Sequence, residues 1–210
     1  IEWQRYEWKL RIASMSGRDG ARRKDLPVSG WPLKIFFGRS PFDIAVRKSY
    51  NATVEQARQP GIYSGWKVPD SAIGRFDVIA LHCFFILHRL KEDAGAEKFA
   101  EAYCAAIFDD MDRNLREMGV GDLSVGKKVR KLAEGFYGRA AAYEDALTGD
   151  ESALCDALKR NLYAEEAPDP DTVRKVADYV RRNVELLAAQ DISKLTTGRV
   201  AFAPLNGEAD

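Results

Sequence analysis

The sequence has few of the residues that carry covalent, redox or metal chemistry. Its 210 residues include three cysteines, Cys83, Cys104 and Cys155, and two histidines, His82 and His88. No cysteine belongs to a CxxC or CxxH spacing, which argues against a disulfide framework or a zinc knuckle and favours a reducing compartment. The two histidines lie about 120° apart around a helix, so they cannot hold one metal ion together. We therefore expect hydrogen-bonded structural histidines, and no metal, cofactor or catalytic residue.

Net charge and long hydrophobic runs are also missing. Lys and Arg number 32 and Asp and Glu number 32, so the chain lacks the basic field of a general nucleic-acid binder, and we expect no DNA partner. The longest uncharged apolar stretch is residues 78–87, whereas a membrane-spanning helix needs about 20 residues. The first residues mix charges with aromatic rings and lack the apolar core of a signal peptide.

What the chain does have is helical periodicity. Apolar residues make up 46% of it, and they recur at helical spacing, with no convincing strand alternation. Six helices are predicted, at about residues 40–58, 70–91, 96–118, 122–148, 150–162 and 168–190. Their predicted N-caps include Ser40, Asp70 or Ser71, Asp122 or Ser124, and Asp150. The second helix is apolar on nearly every face, so it should lie at the centre of the fold.

This pattern predicts an all-α protein: a single compact helical domain of about six helices around a central buried helix. The domain is expected to span residues 35–190. Residues 1–34 should form a flexible or partly non-native arm, because residues 15–30 are rich in Gly, Ser and Arg and because Met15 rather than Ile1 is the candidate initiator. Residues 191–210 show no sustained period, which predicts a flexible C-terminal tail.

An acidic run at Asp109, Asp110 and Asp112 admits two interpretations. Carboxylates can collect Mg²⁺ around a diphosphate, which leaves an all-α Mg-dependent prenyl-diphosphate enzyme as an alternative function. Each acid of the pairs Asp109–Arg113 and Asp112–Arg116, however, stands four residues before a cation, which is the favourable order on a helix. The spacing therefore favours an ion-paired helix face.

The sharpest basic patch is Lys127, Lys128, Arg130 and Lys131. The preceding glycines invite comparison with a phosphate loop, but Lys128 stands where that motif needs Ser or Thr, and no strand precedes it. An exposed helix face is the simpler interpretation. Contact with RNA phosphates or anionic lipid headgroups is the functional one, so a peripheral lipid-binding module is a further alternative.

Aromatic side chains cluster in two places that could anchor a partner. Trp31, Phe36 and Phe37 form one group, and Tyr63 and Trp66 form the other. Tryptophan and tyrosine dominate interface hot spots, but they are also buried in most folds. These five residues are candidate apolar anchors for a client or candidate core residues.

Several segments, taken together, resemble the ubiquinol–cytochrome c chaperone family. In chain order they are Arg58-Gln59-Pro60 with Tyr63; Val68-Pro69-Asp70; Gly74-Arg75-Phe76-Asp77; Leu81-His82; the run MDRNLREMGVGDLSVGK at residues 111–127; and Phe136-Tyr137-Gly138-Arg139 with Tyr143. The resemblance covers about residues 45–165, and the run at 111–127 is its most specific part.

The resemblance implies an assembly factor for ubiquinol–cytochrome c reductase, respiratory complex III, that is not an enzyme. The client it implies is newly made cytochrome b, apo or haem-loaded, with a small partner subunit and the ribosome near its tunnel exit as further partners. Because the family core starts near the beginning of the chain, a short bacterial-type member is expected. Its location would be the bacterial cytoplasm, with peripheral contact at the inner membrane, or the matrix side of that membrane in a mitochondrion.

The corner between the third and fourth predicted helices holds more specific-looking residues than a turn needs. We expect it to form a client- or ribosome-binding surface, made of Arg113, Arg116, Glu117, Asp122, Lys127, Lys128, Arg130 and Lys131.

Overall fold

A computed structural model of the chain describes residues 42–163 and 167–205. These residues form eight α-helices and one 3₁₀ turn at Ala94–Ala96, and they contain no β-strand. The helices are α1 (Asp43–Ala57), α2 (Pro60–Ser64), α3 (Ala72–Leu90), α4 (Glu97–Glu117), α5 (Asp122–Leu147), α6 (Glu151–Leu162), α7 (Pro170–Ala189) and α8 (Ile192–Thr196). The prediction of an all-α fold is confirmed. The predicted arm at residues 1–34 lies outside the described residues.

Helix α3 is the centre of the fold, as its pattern predicts. It begins at the N-cap Ser71, whose side chain accepts a hydrogen bond from the Gly74 N–H, and every residue from 80 to 87 is buried. Helices α1, α4, α5, α6 and α7 all pack against it. A helix enclosed on all sides has no polar face, which explains the absence of a single hydrophobic stripe.

Helix starts were predicted with partial success. Asp150 caps α6 by accepting from the Ala153 N–H, as expected. Helix α1 instead begins at Asp43 with Phe42 in the cap position and no side-chain cap bond. The predicted cap Ser40 lies outside the described residues.

Residues 191–205, for which the sequence pattern predicts a tail, are part of the packed structure. Helix α8 covers residues 192–196, and Leu195 and Ala203 are buried in the main core. The Ser49 hydroxyl on α1 donates to the Leu195 carbonyl. The segment buries isolated side chains between turns, so it has no helical or strand period to detect.

His82 is completely buried and linked to α7 by hydrogen bonds. Its Nδ1 lies 2.8 Å from the Val78 carbonyl and its Nε2 lies 2.8 Å from the Tyr179 hydroxyl. The Tyr179 oxygen accepts from the Gln56 amide, so its hydroxyl proton is available to Nε2 and the imidazole is neutral. Burial lowers the pKa of His82 to about 4, as is usual for a base removed from water.

Asp77 and Arg139 form a mostly buried ion pair between α3 and α5. Their closest atoms, Oδ1 and Nη2, are 2.6 Å apart, and 4% of the Asp77 side chain is exposed. Burial raises the pKa of Asp77 to about 6, because loss of hydration outweighs the attraction of the guanidinium. The pair joins two of the segments on which the family resemblance depends.

The second histidine, His88, has a structural partner on α5. Its Nδ1 lies 2.8 Å from Glu144 Oε2, and Lys91 pairs with the other carboxylate oxygen. Burial alone would raise the pKa of Glu144, but the hydrogen bonds from His88 and Lys91 outweigh it and lower that pKa to about 2. These contacts tie the end of α3 to α5.

Asp77 and His82 should affect stability with opposite signs between about pH 4 and pH 6. The folded chain holds the Asp77 proton more tightly than the unfolded chain, so this group adds stability as the pH falls; His82 resists protonation when folded, so it removes stability over the same range. We expect Asp77→Asn to lose stability on acidification more steeply than the wild type, as measured by urea unfolding at pH 4, 5, 6 and 7. Parallel profiles for the two chains would contradict this.

Two helical glycines should respond oppositely to alanine. A Cβ at Gly74 would lie 2.0 Å from the Pro69 carbonyl oxygen, whereas a Cβ at Gly138 would meet nothing within 4 Å. Gly138→Ala should raise the free energy of unfolding by about 0.5–1 kcal/mol. Gly74→Ala should lower the free energy of unfolding by more than about 1 kcal/mol, because the backbone must move to relieve the clash with Pro69. Urea denaturation of both variants tests the contrast.

Candidate functional site

The turn between α4 and α5 has the geometry of a helix-terminating glycine motif. Gly119 has a φ of +82°, the left-handed conformation that favours glycine. Its N–H donates to the Arg116 carbonyl at 2.9 Å, and the Val120 N–H donates to the Leu115 carbonyl at 3.0 Å. This pair of bonds defines the Schellman motif and confirms Gly119 as the end of α4.

Arg116 joins the two helices on either side of this turn. Its Nε lies 2.6 Å from Asp112 Oδ2 on α4, and its Nη1 pairs with Asp122 at the start of α5. The predicted Asp112–Arg116 pair is therefore present. The prediction of a cap at Asp122 or Ser124 is wrong: Gly121 occupies the N-cap position with no side-chain cap bond. Asp122 lies one residue inside the helix, where its carboxylate pairs with Arg116.

The remaining acids of the run are also part of the folded framework. Asp110 accepts from the Tyr50 hydroxyl at 2.9 Å and pairs with Arg113 at 3.2 Å. Arg113 therefore pairs three residues back with Asp110, and the predicted pair with Asp109 does not form. Asp110 also accepts from the Asn114 side chain. The acidic run serves to fix α4 on α1 and on α5.

The basic residues in the first three turns of α5 form a separate group. Lys127, Lys128, Arg130 and Lys131 are all exposed, and none has an ion-pair partner among residues 42–163 and 167–205. Lys127 and Lys131 follow Leu123 at intervals of four residues, so the three share one face of the helix. We call residues 123–131 the basic stripe.

Apolar side chains are exposed beside the basic stripe. Leu123 is fully exposed and Met118 is 68% exposed, the two lying on either side of the turn. From residue 122 to residue 135 only Val125 is buried, and it lies outside the main hydrophobic cluster. The tip of the α4–α5 hairpin thus presents cations and apolar side chains together.

The structure separates the candidate corner into two groups. Arg113, Arg116 and Asp122 are held in ion pairs that shape the hairpin. Glu117 is exposed near the turn. Lys127, Lys128, Arg130 and Lys131 are exposed and form no ion pair among residues 42–163 and 167–205, so they are the part of the predicted surface whose charges are not used within the described fold.

Trp66 is not available as an anchor in this structure. It is 6% exposed and its ring centroid lies 4.7 Å from that of Tyr179. Tyr63 is half-buried, and its hydroxyl donates to the Ala57 carbonyl at 2.9 Å. Both rings therefore stabilise the packing of α2 on the core. The other candidate anchors, Trp31, Phe36 and Phe37, lie outside the described residues.

The described part of the chain contains no assembled site for metal or thiol chemistry. Within residues 42–163 and 167–205, no three His, Cys, Asp or Glu side chains are grouped to hold a metal ion. Cys83, Cys104 and Cys155 are free and buried. Burial raises the pKa of the Cys104 thiol to about 12. None of the helices described here has the length and apolar character needed to cross a bilayer.

The sequence profile of one family matches residues 64–202, which include α3 to α8 and the hairpin. That family is described as ubiquinol–cytochrome c chaperone. The chain belongs to this family. The resemblance to this family is thereby confirmed, and the family is described as one of chaperones.

A solved structure has the same fold. The crystal structure of the Cbp3 homolog from Brucella abortus is 34% identical to this chain, with a TM-score of 0.70. The match covers 78% of this chain and 91% of the Brucella chain.

Eukaryotic relatives are named as assembly factors of the ubiquinol–cytochrome c reductase complex. Ubiquinol-cytochrome-c reductase complex assembly factor 1 of Xenopus laevis is 28% identical over 176 residues, covering 83% of this chain and 87% of the relative. The mouse protein of that name is 24% identical over 188 residues, covering 89% of this chain and 64% of the relative. The human protein is 23% identical, with coverage of 89% and 63%. The chain is thus a member of the complex III assembly factor family.

The ion pairs of Arg116 make it a poor site for testing binding alone. Arg116→Glu would place a third carboxylate beside Asp112 and Asp122, so we expect a lower Tm by thermal unfolding. Lys127→Glu removes no ion pair and should leave Tm unchanged. Equal Tm values for the two variants would show that the Arg116 pairs do not hold the hairpin together.

Proposed function

We propose that the chain is a chaperone that binds newly made cytochrome b and promotes its assembly into ubiquinol–cytochrome c reductase. Membership of the complex III assembly factor family supports the assembly role. Cytochrome b as the client is what the resemblance of the motif segments implies. The chain keeps this client in an assembly-competent state by covering its surface, and no bond is made or broken.

The basic stripe is the proposed client-binding surface, and one observation carries this assignment. Four exposed cations without ion-pair partners lie beside Leu123 and Met118 at the tip of the hairpin. A membrane-protein client emerging from synthesis offers apolar segments flanked by polar loops. Apolar contacts at the turn and charge complementarity along α5 suit such a segment.

The resemblance also predicts three further contacts: a small partner subunit, the ribosome near its tunnel exit, and the periphery of the inner membrane. Phosphate groups of ribosomal RNA and lipid headgroups would be recognised by the same cations. The client is favoured over ribosomal RNA because the exposed Leu123 and Met118 add apolar contact area that phosphate recognition does not use. Lipid headgroups are distinguished from the client by the vesicle measurement below.

Deleting the gene tests the assembly role directly. We expect loss of assembled complex III, with newly made cytochrome b synthesised but short-lived. The measurement is native gel electrophoresis of the complex beside pulse-labelled cytochrome b. Normal complex III levels in the deletion strain would overturn the proposed function.

Charge reversal tests the client-binding surface. Lys127→Glu with Lys131→Glu should reduce co-purification of cytochrome b by about tenfold or more, corresponding to roughly 1.4 kcal/mol of binding free energy. Lys98→Glu with Lys175→Glu makes the same charge change at exposed positions on α4 and α7, and should leave recovery unchanged. Both double variants should keep the wild-type Tm.

The outcome of this comparison separates the alternatives. Equal recovery of cytochrome b with both double variants would remove the basic stripe from the client surface. Loss of binding to anionic vesicles with unchanged client recovery would favour the lipid-binding module instead. Mg²⁺-dependent binding of a prenyl diphosphate by the purified chain would favour the enzyme.

A further inference from the structure

Residues 200–205, which we call the C-terminal segment, lie extended across the helices and are held largely by side chains. The first contact is at Ala201. Its N–H donates to Gln190 Oε1 at 3.1 Å, and its carbonyl accepts from Gln190 Nε2 at 2.7 Å. One side-chain amide thus pairs with both backbone groups of one residue, as a neighbouring β-strand would.

The same arrangement recurs two residues later. The Ala203 N–H donates to Asn183 Oδ1 at 3.0 Å, and its carbonyl accepts from Gln56 Nε2 at 3.2 Å. Backbone groups at alternate positions of an extended chain face the same side. Three amide side chains, one on α7, one at the C-cap of α7 and one on α1, therefore match the hydrogen-bonding edge of an extended polypeptide.

Apolar side chains of the segment also pack on the helices. The Phe202 ring packs edge-to-face on His82 at a centroid distance of 5.6 Å, and Ala203 is buried. Beyond them, Leu205 lies so close to Gly61 that a Cβ there would meet its Cδ1 at 2.9 Å. Pro204 has no N–H, and it follows Ala203, the second residue whose N–H donates to a side-chain amide.

We propose that the groove between α1, α2 and α7 is a binding site for an extended polypeptide segment. The C-terminal segment fills this groove in cis, and an extended segment of the client exchanges with it. The occupant has an aromatic residue followed by a small one, like Phe202 and Ala203. The client part of this inference depends on the proposed function.

Exchange fits the contacts better than simple release. Asn183 is fully buried and Gln56 is partly buried. Departure of the segment would remove the donor to Asn183 Oδ1 and one of the two acceptors of Gln56 Nε2, and losing hydrogen bonds to buried groups is costly. A replacement peptide restores every one of those hydrogen bonds. Because the bonds are made to backbone atoms, many sequences can provide them.

A labelled peptide of residues 199–206 tests the groove in the full-length chain. Phe202→Ala in the chain weakens the cis occupant but leaves the groove intact, so this variant should bind the peptide at least about tenfold more tightly than the wild-type chain by fluorescence anisotropy. Ala201→Ser, which changes an exposed side chain, is the matched control and should behave as wild type. Leu205→Ala is a second loosened variant, used if circular dichroism shows Phe202→Ala to be unfolded.

The peptide itself tests how it is recognised. N-methylation at Ala203 removes a donor that the groove uses and should abolish binding, whereas N-methylation at Phe202 removes a donor with no partner in the described structure and should not. Failure of the folded, loosened chains to bind the unmodified peptide would overturn the proposal. Equal binding of both methylated peptides would overturn recognition through the backbone.

Overlapping peptides that cover cytochrome b test the client as the occupant. The Phe202→Ala chain should bind a discrete set of them, and the residue 199–206 peptide should compete. Binding of the chain's own segment without any client peptide would restrict the groove to closure in cis and overturn the exchange. This failure is distinct from failure of the proposed function, which is measured by complex III assembly.

Discussion

Burial of α3 on every side is the constraint from which the rest of the architecture follows. A helix without a wet face must find protein partners for each polar side chain it carries. His82 finds Tyr179 on α7, and Asp77 finds Arg139 on α5. These two contacts leave in different directions from one helix, so they fix where two of its neighbours lie. The apolar contacts supply the free energy of packing, and the polar contacts select one arrangement of it.

The α4–α5 hairpin is stabilised by different interactions from those at the centre of the fold. Its turn is fixed by Gly119 and its arms are joined by Arg116, both of which act without a hydrophobic core. Residues beyond this joint contribute little buried area, so their side chains are selected for something other than folding. Because of that separation, the effect of the basic stripe on client binding can be measured apart from stability.

The sequence predicted the framework well because periodicity and capping are local. The central helix, the end of α4 at Gly119 and the caps at Ser71 and Asp150 all follow from residues a few positions apart. Residues 191–205 were missed because their burial depends on contacts with α1 and α7, more than a hundred residues away in the first case. Trp66 could not be assigned from sequence, since an aromatic anchor and an aromatic core residue have the same pattern.

The polar contacts were harder to foresee than the apolar ones. Asp77 and Arg139 stand in two different motif segments, and nothing in either segment indicates that they meet. Gln56, Asn183 and Gln190 belong to no motif, although together they hold the C-terminal segment. Asp122 was predicted to be a cap because aspartate favours that position. Its carboxylate instead forms an ion pair with Arg116.

The length of α5 determines which of its residues the core constrains. Helix α5 has 26 residues, about 39 Å at the usual helical rise, so its exposed beginning lies far from its buried end. Mutations near residue 123 can therefore accumulate with almost no penalty to the core, while those near residue 136 are constrained by it. The run at residues 111–127, the most specific part of the family resemblance, therefore ends in a stretch of helix that the core constrains little.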